Sequence, residues 1–135
     1  MIQRRTVLLA ALWSAVVVQA GWSAELPKVR VLTYNIHHGE GTDGRIDLER
    51  IATVIKRLAP DVVALQEVDV KTTRSKGVDQ AARLGELTGM NAAFGKAMDY
   101  AGGQYGEAIL SRQPLAEVTT HALPFASGCE PRAVL

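Results

Sequence analysis

The 135-residue chain holds a single cysteine, Cys129, which excludes an internal disulfide. No sequence feature supplies a partner base for that thiol, so Cys129 reads as structural. Charge of one sign is also lacking. Fifteen Lys and Arg face fourteen Asp and Glu, a formal net charge of +1. Bulk attraction to nucleic acid or to an acidic membrane is thereby excluded as an organising force, although a local basic cleft is not. The main apolar run, Val7 to Val18, falls short of the roughly 20 residues that a bilayer span needs. There is no internal repeat and no low-complexity segment. With 47% hydrophobic and 21% charged residues, the chain has the composition of a globular protein of about one domain.

The first 24 residues stand apart. Arg4 and Arg5 precede the apolar run, and small residues follow at Ala20, Gly21, Ser23 and Ala24. That order reads as a secretory signal peptide over residues 1–24, cleaved between 20 and 24. Cleavage after Ala20 is preferred, because cleavage after Ala24 places bulky Trp22 at the −3 position. A retained membrane anchor is the competing reading. The paired arginines loosely resemble a twin-arginine signal, but Gln3 and Val7 depart from it, so the Sec route remains open beside it. The expected location is periplasmic or secreted.

The mature part, residues 25–135, opens as strand, helix, strand. Val29 to Asn35 is rich in β-formers. Asp47 suits an N-cap, Ile46 and Ile51 a hydrophobic staple, and Leu48, Ile51, Val54, Ile55 and Leu58 share one helical face before Pro60. Val62 to Gln66 is a short apolar run typical of a buried strand. A charged loop from Val70 to Gly77, a second helix from Asp79 to Leu87 and strands at Ala92 to Ala97 and Ala108 to Ser111 follow. Val118 to Leu123 is expected as the hairpin partner of that last strand. A helical crossover implies that the first two strands are parallel, while the later ones read as antiparallel. The fold class is α/β, a mixed β-sheet with packed helices.

This order places the candidate chemistry. Parallel strands bring their carboxyl ends to one rim, where open α/β sheets bind ligands. Asn35 ends the first strand and Glu67 the second. A carboxylate after a deeply apolar run is costly unless compensated. A divalent cation compensates it, and Mg2+ takes oxygen ligands, often only one or two carboxylates. Asn35 offers an amide oxygen and two donors for a metal-bound water or a phosphate oxygen. The competing reading makes Glu67 the first exposed residue after a strand. His37 and His38, in the loop beyond Asn35, are either phosphate contacts or ligand-orienting groups, or merely solvated. Arg132 has a guanidinium suited to phosphate oxygens. Asp69 reads as a surface residue, with support of the rim as the second reading, and His121 as a half-buried structural one.

Gly39-Glu40-Gly41-Thr42-Asp43-Gly44 is a literal G-x-G-x-x-G between a strand and a helix, the layout of a dinucleotide-binding oxidoreductase. Three residues separate the strand from Gly39, however, and the N-cap lies three residues beyond Gly44. Pyrophosphate binding needs the glycines at the helix N-terminus. The stretch therefore reads as a flexible loop. Gly89 to Lys96 imitates a P-loop but has one residue too many and Ala97 where Ser or Thr is needed.

Three blocks, Thr33-Tyr34-Asn35-Ile36-His37-His38-Gly39, Leu65-Gln66-Glu67-Val68-Asp69 and Tyr105-Gly106-Glu107-Ala108-Ile109-Leu110-Ser111-Arg112, resemble the endonuclease/exonuclease/phosphatase family in type and order. The resemblance covers most of the mature chain. It implies the first part of a two-sheet α/β sandwich and a Mg2+-dependent phosphoesterase, with Mn2+ or Ca2+ as alternative ions. By match to its motifs, Glu67 is the metal ligand, and Asn35 helps hold the metal site and the phosphate; His38 joins them as a catalytic candidate, with His37 and Arg132 as phosphate contacts. Glu107 stands where the family often has asparagine and is given no chemistry. The implied substrate is a phosphate ester: nucleic acid, an inositol phosphate or a phospholipid head group. No stable protein partner is expected.

The family's later Gly-Asp-x-Asn block and Asp-His pair, the expected source of the general base, do not occur, and the chain stops at Leu135 inside an apolar run. The expectation is an N-terminal part of a longer domain. Two other readings stay open: the oxidoreductase built on Gly39, Gly41 and Gly44, and an inactive or purely interacting module.

Overall fold

The computed structural model describes residues 27–135. The expected signal peptide lies outside the described residues. The first strand, β1, spans Val31–Asn35. A 3-10 turn, His37–Gly39, follows. Helix α1 spans Leu48–Leu58, β2 Val62–Val70 and α2 Gln80–Thr88. Strand β3 spans Asn91–Tyr100 and β4 Gly103–Ser111, and two short strands, β5 at His121–Ala122 and β6 at Ala133–Val134, close the order.

The sheet runs β1-β2-β4-β3, with β1 and β2 parallel and the other pairs antiparallel. This is the mixed sheet that the strand–helix–strand order implies. Both helices carry end signals, of which the Asp47 cap is the one expected. The side chain of Asp47 accepts from the backbone N–H of Arg50, and that of Asp79 from Ala82. Ala59 and Gly89 close the helices in left-handed conformation. Leu48, Ile51, Ala52 and Ile55 bury the core stripe of α1 against Val63, Leu65, Leu84 and Leu110. Val54 and Leu58, expected on that stripe, are exposed; with Ala52 inward, they fall on the stripe's flanks. Among the described residues, no helix is long and apolar enough to cross a membrane.

Four other expectations are corrected. The hairpin partner of β4 is β3, whereas His121–Ala122 pairs with Ala133–Val134. A long antiparallel register from Asn91 to Tyr100 offers more backbone bonds than the Pro114-interrupted alternative. His121 is accordingly exposed rather than half-buried. Strand β2 does not end at Glu67 but continues to Val70 through a β-bulge. Finally, Asp69 is fully buried.

Candidate active site at the bulge of β2

The bulge is the device that builds the site. Leu65 pairs with Ala108 and Val68 with Gly106, so Gln66 and Glu67 together oppose Glu107 alone. The extra residue re-aims its side chain. Glu67 takes up the bend with a φ of 60°, and His37 and His38 sit at 47° and 43°. Left-handed backbone is strained for residues with a β-carbon, of order 1–3 kcal/mol each, and persists only where surroundings over-determine it.

Those surroundings are polar and specific. Parallel pairing sets Asn35 opposite Gln66. The Asn35 Nδ2 donates to Glu67 Oε1 at 2.8 Å, and its Oδ1 accepts from the backbone N–H of His37 at 2.9 Å. One amide thus ties the end of β1, the bulge and the histidine turn together. From beneath, buried Gln80 donates to the carbonyl of His38 at 2.7 Å and accepts from the backbone N–H of Asp69 at 3.0 Å. The His38 side chain is buried, 10% exposed, with Nε2 3.1 Å from Glu40 Oε2.

A cleft of about 210 Å3 opens above this rim, lined by His37, His38, Glu67, Arg74, Tyr105 and Arg132 among others. The five sequence-derived candidates do not share one set of contacts: Asn35 and Glu67 are bonded to each other, His37 and His38 flank them, and Arg132 stands on the opposite wall. Arg132 Nη1 reaches the Tyr105 hydroxyl at 3.4 Å and Glu130 at 2.9 Å. Burial pushes the Tyr105 phenol above its ordinary range, against the opposing bond from Arg132. Burial likewise raises the Glu107 carboxyl, with Arg132 acting in the other direction. Glu107 Oε2 is buried without a hydrogen-bond partner among the described residues.

Arg74 is a lining residue that sequence reasoning missed. Its Nε and Nη2 donate to the two oxygens of Asp69 at 2.7 and 2.8 Å, and its guanidinium lies 4.5 Å from the Tyr100 ring centre. The pairing of Arg74 with Asp69 spans five residues of what reads as a solvated charged loop, so nothing local marks it. Gln80 is equally silent, because a polar residue at a helix start looks exposed. Tyr105 lay inside the third sequence block, whose alternation along β4 was its available signal.

The glycine stretch is not a dinucleotide cradle. Gly39 packs against Leu48, Ile46 and Gln80, and Gly41 faces the guanidinium of Arg50. The N-cap, Asp47, donates its backbone N–H to the Gly39 carbonyl at 3.0 Å, so the end of the helix is tied to that glycine by protein rather than open to a pyrophosphate. The stretch is held as well, by the ion pair of Arg50 with Asp43 at 3.0 Å and a bridge from Glu40 to Ile46.

A carboxylate braced by an amide at the rim of a mixed sheet matches one known class. The model of the Endonuclease/Exonuclease/phosphatase family matches residues 32–134, and the chain belongs to that family. Among solved structures, an endonuclease/exonuclease/phosphatase from Beutenbergia cavernae DSM 12333 is similar with a TM-score of 0.60 and 33% identity, covering 71% of this chain and 29% of that one. An endonuclease/exonuclease/phosphatase family protein from Leptotrichia buccalis C-1013-b shares the fold with a TM-score of 0.57 and 18% identity, covering 78% and 47%. The chain therefore spans less than half the length of either. The comparison with curated proteins returned no significant match. Members of that family are hydrolases of the phosphoesterase and nuclease type.

Proposed function

We propose that the chain contributes the Glu67 half of the centre of an exported, divalent-metal-dependent phosphoesterase. The observation that carries the proposal is the 2.8 Å bond from Asn35 to Glu67 at the rim where β1 and the bulge of β2 meet. The donor chemistry fits a cation: a half-exposed carboxylate, oriented by an amide, whose backbone conformation is strained toward the cleft. Glu67 holds the ion and Asn35 orients Glu67. Oxygen donors suit Mg2+, with Mn2+ and Ca2+ compatible. A bound divalent ion supplies charge neutralisation on the phosphoryl oxygens.

The chain's own residues do the rest. Arg132 presents a guanidinium to the cleft, where it suits a phosphate oxygen. The Tyr105 hydroxyl, whose ionisation burial further disfavours, lines the same cleft as a donor. Arg74 is rigidly held by Asp69 and adds positive potential without a mobile side chain. His37 and His38 close the near side. The substrate class is a phosphate ester: nucleic acid, an inositol phosphate or a phospholipid head group. Export rests on the signal-like order of residues 1–24, and mass spectrometry of the mature N-terminus tests it.

The direct test of the site is Glu67→Gln in the full-length protein. Hydrolysis of a generic phosphodiester such as bis(p-nitrophenyl) phosphate should fall at least about a hundredfold, and stabilisation by added Mg2+ or Mn2+ should vanish. Unchanged cleavage and unchanged metal-dependent melting would remove Glu67 from the centre.

A further inference from the structure

The cleft holds more than a carboxylate. One ring nitrogen each of His37 and His38 and a carboxylate oxygen of Glu67 all lie within 4.8 Å of one another. Three ligands about 2.1 Å from one ion stand roughly 3.4–3.6 Å apart, so rotamer shifts of about an ångström close this set around one ion.

Three independent features point the same way. First, His38 Nε2 faces the Glu40 carboxylate at 3.1 Å. Metal-bound imidazoles characteristically donate their other N–H to a carboxylate, which fixes the tautomer and leaves one nitrogen lone pair for the ion. Second, the turn that carries the two histidines is fixed at its backbone, with the His38 ring buried and the His37 ring exposed to the cleft side. The His38 backbone is pinned by Gln80 and that of His37 by Asn35. Third, all three ligand residues hold left-handed backbone, at φ of 47°, 43° and 60°. A solvated loop has no reason to maintain that strain, whereas convergence of three side chains does.

The geometry points to a mixed nitrogen–oxygen centre, His37–His38–Glu67, that selects a first-row transition ion such as Mn2+ or Zn2+ over Mg2+. This rests on the metal-dependent reading of Glu67 and sharpens its ion. Mg2+ wants an oxygen shell of near-octahedral geometry and dehydrates reluctantly. Imidazole suits Zn2+ and the later first-row ions best; Mn2+ stands lowest in that order but, unlike Mg2+, belongs to it. Two imidazoles beside one carboxylate therefore discriminate where carboxylates alone would not. The fourth and later positions remain for water or a phosphate oxygen, consistent with a centre open to the cleft.

The test uses the full chain and the metals alone. Mn2+ and Mg2+ binding are measured by titration calorimetry, and the Mn2+-loaded protein by pulsed electron paramagnetic resonance. Mn2+ should bind at least about tenfold more tightly than Mg2+, and the spectrum should carry 14N couplings from imidazole. His37→Asn and His38→Asn should each weaken that coupling and narrow the ion ratio. The wild-type spectrum is decisive even if His38→Asn fails to fold. Mn2+ bound in a Glu67-dependent manner without 14N coupling would overturn the nitrogen centre while leaving the phosphoesterase proposal standing. Absence of any Glu67-dependent binding of either ion would sink both.

Discussion

The buried carboxylate of Asp69 gives the sharpest prediction about what holds the cleft together. Asp69 is fully buried and accepts three bonds: from Thr72 Oγ1 at 2.6 Å, and from Arg74 Nε and Nη2 at 2.7 and 2.8 Å. Replacing it by asparagine keeps volume and one acceptor but turns the second oxygen into a donor facing a donor. A hydrogen bond to a charged group contributes about 1.5–3 kcal/mol, and breaking a buried pair costs about 3–5 kcal/mol. The Arg74 side chain is 30% exposed, so water recovers part of the loss and the surface end of the scale must be mixed in. The expected destabilisation for Asp69→Asn is about 2–4 kcal/mol. For a domain near 100 residues that lowers Tm by roughly 10–20 °C. Urea denaturation of the full chain followed by circular dichroism measures it, with m unchanged. Arg74→Met should cost at least as much, because it strands the fully buried partner rather than the half-wet one. A loss below about 1 kcal/mol for Asp69→Asn, or a milder effect for Arg74→Met, would refute the argument.

Glu107→Gln should stabilise the protein at neutral pH. Burial raises the carboxyl above its unfolded value, so the native state binds the proton more tightly. Stability is then greatest below the unfolded pKa and is lost as pH rises through the folded one. The substitution should flatten that decline in Tm between acid and neutral pH; an unchanged slope would show that Glu107 is adequately solvated. Gly106→Ala should abolish folding, since an added β-carbon would collide with the Gly95 carbonyl across the β3–β4 pair; a soluble protein with native circular dichroism would contradict the register. Asn35→Ala, which frees Glu67 Oε1 and the His37 N–H, should weaken metal-dependent stabilisation by about 1–2 kcal/mol without removing it. Melting curves with and without Mn2+ read the difference, and full retention would show that the amide orients nothing.

The two helices were legible because each carries its own punctuation. Asp47 and Asp79 cap them, and local spacing of apolar residues sets the buried stripe. The parallel pairing of β1 and β2 was equally readable, since a strand–helix–strand order leaves few other topologies. From it followed the meeting of Asn35 with Glu67, although the expected strand end proved to be a bulge. A bulge is set by the partner strand: only pairing with β4 makes Gln66 and Glu67 share one opposite residue.

Other errors have the same origin. Asp69 looked like surface because a charged residue near a loop usually is, and its burial depends on Arg74 folding back over it. The partner of β4 was misplaced because strand pairing is non-local, and Val118 to Leu123 has as much β-character in isolation as β3 does. What the residues by themselves determined was helix position, strand direction and the chemical types near the rim, all consequences of local spacing and chain connectivity. Only the tertiary structure decided the bulge, the buried Asp69–Arg74 pair and the convergence of His37, His38 and Glu67. Each of these needs segments about 30 residues apart, or a side chain turned back on its own loop, to find one another in space.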